Sequence, residues 1–65
     1  MSLHADLASV LSTLDQVIER LAEAANEVDG AEREDLMADL YEVERHLRSA
    51  TRRLNRTVSS LPEQA

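Results

Sequence analysis

Leu21-Ala22-Glu23-Ala24-Ala25-Asn26-Glu27-Val28-Asp29-Gly30-Ala31-Glu32-Arg33-Glu34-Asp35-Leu36 is the stretch where the chain either runs on as one helical rod or doubles back. Upstream, apolar residues fall at Leu3, Leu7, Val10, Leu14, Val17, Leu21, Ala24 and Val28, in steps of four and three, which is a heptad seam on an α-helix. Downstream, Leu36, Leu40, Val43, Leu47, Ala50, Leu54, Thr57 and Leu61 repeat the same steps. The two seams are out of phase by two residues across the junction, since extending the first would put Asp35 on the apolar line. Neither a four-residue stutter nor a three-residue stammer gives that offset. Gly30, the single glycine of the chain, can close a helix in the left-handed conformation, and Asp29 three residues before Glu32 reads as a capping box for a second one. Glu32, Glu34 and Asp35 suit the positive end of that helix, as Arg52, Arg53 and Arg56 suit the negative end.

The sequence therefore predicts an all-α fold, an antiparallel two-helix hairpin in one domain spanning residues 1–65. Helix 1 is expected over about 3–28, the turn over about 29–31, helix 2 over about 31–60 and a short polar tail over 62–65. Pro62 ends the second helix, because the residue before proline is pushed out of helical geometry. Two arms of about 26 and 30 residues would each be roughly 40 to 45 Å long at about 1.5 Å per residue.

With position a assigned to Leu7, Leu14, Leu21 and Val28, position d holds Leu3, Val10, Val17 and Ala24, and a further stripe at position e holds Leu11, Ile18 and Ala25. Helix 1 is thus apolar over more width than one partner helix covers. Helix 2 is narrower, with Met37, Glu44, Thr51 and Val58 at its e positions. A 65-residue chain buries a small core, so a lone hairpin is marginal. If the hairpin closes on a and d, the e stripe with Ala8 and Ala22 beside it stays in water, and such a strip marks an interface. Ala8, Leu11, Ile18, Ala22 and Ala25 are accordingly the expected self-association residues, in a homodimer that makes a four-helix bundle. Asp15, at the edge of the strip, fits least well.

The charge is −6 overall but uneven. Residues 1–44 carry 12 acids and two Arg, a balance of −10, while residues 45–65 carry five Arg against Glu63, a balance of +4. Stacking two hairpins with their turns at opposite ends sets each acidic tip, with Glu23, Glu27, Asp29, Glu32, Glu34 and Asp35, near the partner's basic end. All seven basic residues are Arg. Arg45, Arg48, Arg52 and Arg56 form one outward stripe, the candidate site for an unidentified protein partner or, as the alternative, for nucleic-acid phosphates. Against the second stand the acidic total and the lack of any groove-reading motif. A solvated face, with Glu44 pairing to Arg48 at i to i+4, is the simplest account of the stripe.

Several classes are excluded by inventory. Without Cys, Trp or Phe, and with Tyr41 as the one aromatic, the chain can form neither a disulfide scaffold, nor a zinc ribbon, nor a base-stacking platform. Asp35, Asp39, Glu42 and His46 share a helix face, but their spacing departs from the Glu-x-x-His of bundle metal sites, so no metal is expected. No nucleophile stands beside a base and no glycine loop cradles phosphate, so the expectation is a protein that is not an enzyme and needs no cofactor. Met1 to Leu14 lacks Lys and Arg and is broken by His4, Asp6, Ser9 and Ser12, unlike an export signal, and no run approaches a membrane span. The basic half-helix has no aromatic anchor for a lipid surface. A cytoplasmic interaction module, adaptor, regulator or assembly component, is the reading of the sequence.

Overall fold

A computed structural model describes residues 2–28 and 33–62. It contains two α-helices, α1 (Leu3–Glu27) and α2 (Glu34–Ser59), which pack against each other as a hairpin. The principal extents are 51 × 16 × 10 Å, about half the roughly 97 Å that 65 residues would span as one rod. Its radius of gyration of 15.2 Å exceeds the about 11 Å of a compact domain of this length, because a pair of long helices has no third layer to close over it.

The helix ends follow local chemistry. Ser2 is extended and caps α1, its Oγ accepting from the Ala5 N–H at 3.0 Å, which satisfies one of the free donors of the first turn. At the other end Val28 leaves helical geometry, its N–H donating to the Ala25 carbonyl at 3.2 Å. The expected turn residues Asp29, Gly30 and Ala31, and with them the Asp29–Glu32 capping box, lie outside the described residues. α2 begins at Glu34, three residues later than its sequence suggests, with Glu34 and Asp35 in the first turn. Its last turn tightens: the Leu61 N–H donates to the Val58 carbonyl at 3.0 Å and the Ser60 hydroxyl to the Thr57 carbonyl at 2.8 Å, just before Pro62.

The hairpin closes on a different pair of columns from those the seams suggest. On α1 the buried and half-buried residues are the a column, Leu7, Leu14 and Leu21, with Val28 as its cap, the e column, His4, Leu11, Ile18 and Ala25, and Ala22 beside them. On α2 they are Leu40, Leu47 and Leu54 at a, with Leu61 just past the helix end, Met37, Glu44, Thr51 and Val58 at e, and Leu36 at d in the first turn. The d residues Leu3, Val10, Val17 and Ala24 on α1, and Val43, Ala50 and Thr57 on α2, are exposed. Ile18 and Ala25, expected on the outer strip, are two of the three buried residues among those described, Val58 being the third. The physical reason lies in side-chain size. Leu11 and Ile18 each carry one methylene more than Val10 and Val17, and each buried methylene contributes about 0.8 kcal/mol. At these two levels covering e removes more apolar surface from water than covering d, although Leu3 at the helix start adds to the d column and His4 stands opposite it at e.

Candidate interaction surfaces

A rotation of about 100° per residue places d about 60° behind a, and e about 40° ahead of it. The hairpin centres on a and e, so d stands almost square to the plane of the two helices. Reversing the chain direction in α2 also reverses the view along its axis, and the two d columns fall on the same broad side. Leu3, Val10, Val17 and Ala24 thus share one face with Val43 and Ala50, and Val43 is 46% exposed. Val17 at 38% exposure and Ile18 at 6% show the division within one peptide step: the valine points out across the face and the isoleucine into the seam.

The opposite broad side is polar at its middle, with Ala8, Ala22 and Tyr41 farther along it. There Asp15 and Ile18 from α1 meet Arg48, Thr51 and Arg52 from α2 around a shallow cleft of about 170 Å³. The cleft sets the Asp15–Ile18 stretch of α1 beside the Arg48–Arg52 stretch of α2, which puts Val17 and Ala50 at about the same height. Asp15, awkward as the edge of an apolar strip, is at home beside two arginines. Another open cleft, lined by Glu34, Met37, Ala38 and Tyr41, lies on α2 alone, and Tyr41 is half exposed there rather than folded over the seam.

Of the expected self-association residues, Leu11 and Ala22 are half-buried, Ile18 and Ala25 are buried, and only Ala8 is exposed. Four of the five are spent inside the hairpin, a correction that follows directly from its closing on e. The sequence does contain the signal for the uncovered face, since α1 is apolar at three columns and α2 can cover two. The surplus column is d.

The arginine stripe divides in two. Arg48 donates to Oε2 of Glu44 from Nε at 3.0 Å and from Nη2 at 2.8 Å, and Arg45 donates to Oε1 of Glu42. His46 Nε2 lies 3.1 Å from the same Glu42 oxygen. The Arg45 hydrogen bond, reinforced by the charge beside it, holds the Glu42 carboxyl below its ordinary value. Among the described residues no carboxylate is within ion-pair distance of Arg52, Arg53 or Arg56. The Asp35, Asp39, Glu42 and His46 face shows only the Glu42–His46 contact, and no three potential ligands converge among the described residues. No helix among the described residues is long and apolar enough to cross a membrane.

Compared with protein-family models, curated proteins and solved structures, the chain matches none.

Proposed function

We propose that this chain is a non-catalytic helical interaction module of the cytoplasm, an adaptor, regulator or assembly component, that works by self-association into a four-helix bundle and by binding a further protein partner. The observation that carries the reading is the broad face formed by Leu3, Val10, Val17, Ala24, Val43 and Ala50, all exposed in the single hairpin. Contiguous apolar surface of this kind on a small protein marks a site of association. The polar opposite side, with Asp15 beside Arg48 and Arg52, stays in water when the apolar face is covered.

Sedimentation equilibrium at low micromolar concentration tests the self-association. A mass of twice the chain's 7.3 kDa is the expected result, and a single 7.3 kDa species that remains helical overturns it. The alternative is a nucleic-acid-associated regulator using the Arg45 to Arg56 stripe. It is supported by Arg52 and Arg56, with Arg53 beside them, standing free of carboxylates among the described residues. Retention of duplex DNA at low salt that fades as salt rises favours this alternative; no retention removes it.

A further inference from the structure

We infer that the apolar face takes a second copy of this chain in one orientation, with the two turns at opposite ends and the twofold axis passing between Val17 and its counterpart and between Ala50 and its counterpart. The inference rests on the self-association proposed above and adds the face, the register and the direction.

The area exposed by this elongated hairpin leaves room for an occupant of this size. The chain exposes 5102 Å², whereas a compact monomer of its mass exposes about 4,200 Å². The surplus of about 900 Å² is close to the about 800 Å² that each partner contributes to an interface of standard size. A hairpin has the matching outline, since a second copy brings an apolar face of the same length and width.

The face permits two twofold arrangements. With turns at the same end, α1 of one copy lies over α2 of the other, and Val17 faces the partner's Ala50. With turns at opposite ends, each helix lies antiparallel over its own counterpart. Because Val17 and Ala50 are level, an axis through that height pairs each with itself, sets Val10 opposite the partner's Ala24 and Val43 opposite the partner's Thr57. None of these pairs sets two large side chains against each other, so packing permits either arrangement.

Charge separates them. On the turn side of this axis, residues 18–49 hold ten acids and four Arg, a net −6. On the open side, residues 1–16 and 51–65 hold three acids and three Arg, a net zero. Turns at the same end place −6 beside −6, a repulsion spread over the tips. Turns at opposite ends place each acidic half beside a neutral half that carries Arg52, Arg53 and Arg56. Like-charge juxtaposition works against wrong pairings more effectively than attraction strengthens right ones.

The chain has no cysteine, so single thiols report the geometry without interference. Val17→Cys and Ala50→Cys would be made separately, with Gln16→Cys, exposed on the outer side of α1, as the control. Each is oxidised mildly at low micromolar concentration, with the oligomeric state of the reduced protein measured by sedimentation. The expected result is that Val17→Cys alone and Ala50→Cys alone each form a disulfide-linked dimer at least about tenfold faster than Gln16→Cys, because facing thiols have a high effective concentration. Linkage only in an equal mixture of Val17→Cys and Ala50→Cys chains overturns the orientation. A dimer in which neither thiol links faster than the control overturns the face while leaving self-association standing. A monomer in sedimentation overturns both.

Discussion

Arg48 directs both Nε and Nη2 at a single oxygen of Glu44, one turn earlier on α2, and so holds that carboxylate at the margin of the hairpin seam. Glu44 occupies an e position that the hairpin half buries, its side chain 15% exposed against 55% for Arg48. The acid is tolerated in the seam because its charge is led outward to the guanidinium on the polar side.

Removing that guanidinium is expected to cost more than an exposed i to i+4 pair does. Arg48→Ala should lower stability by about 1 kcal/mol, a drop in Tm of about 4–8 °C for a domain of this size, read by thermal melting at fixed protein concentration. Arg48→Glu should be worse, since it sets two carboxylates together. A difference between Arg48→Ala and the parent that disappears entirely in about 0.5 M salt would show the pair to be an ordinary surface bridge. Charge reversals meant to probe partner binding therefore belong at Arg52 and Arg56, which stand free of such duties among the described residues.

Thr51 offers a test of the seam itself. Its Oγ1 is buried without a hydrogen-bond partner among the described residues, whereas Thr13 and Thr57 each donate to the carbonyl four residues back. Thr51→Val keeps the shape and removes the unsatisfied hydroxyl, and should raise stability by about 1 kcal/mol. Denaturant titration checks this by an increase in the midpoint at unchanged slope. A decrease would mean that the hydroxyl is satisfied in solution.

Acid should weaken α2 through Glu42. Its carboxyl is held below 4.5 by the Arg45 hydrogen bond and charge, so the folded state binds this proton less readily than the unfolded chain does. The stabilisation is then present above 4.5 and is lost as the pH falls through the lower folded value. Glu42→Gln should melt slightly below the parent at neutral pH, and the two curves should converge as the pH is taken below 4.5. A gap that stays constant far into the acid range would point to some other source.

Much of the fold was legible because the periodicity was unbroken. The steps of four and three from Leu3 to Val28 and from Leu36 to Leu61 mark both helices, and the phase slip between them marks the reversal, within three residues at each boundary. Leu7, Leu14, Leu21 and Val28 run antiparallel to Leu61, Leu54, Leu47 and Leu40 under either choice of neighbouring column. The choice itself was hidden. On α2 the d residues Val43 and Ala50 are more apolar than Glu44 and Thr51 at e, so periodicity favours a and d. Two features favour the other choice: at mid-helix Leu11 and Ile18 are larger than Val10 and Val17, and Arg48 leads Glu44 out of the seam. A hydrophobic pattern scores residues as apolar or not and cannot weigh one methylene against another. The same blindness put Ile18 and Ala25 on the outer strip, where the hairpin buries them. Ser2 as a cap was equally open to notice, three residues before the Ala5 N–H it accepts, but it stands ahead of the first periodic residue.

A body 51 Å long and 10 Å through its thinnest dimension has a seam but no interior chamber of its own. Any enclosed space must be built from two or more copies, and the walls of that space come into existence only when the copies meet. On the pairing proposed above, dilution would remove the opposing wall as surely as a mutation. The number of chains present would then act as a setting, fixing what fraction is closed and what fraction offers its bare valines to something else.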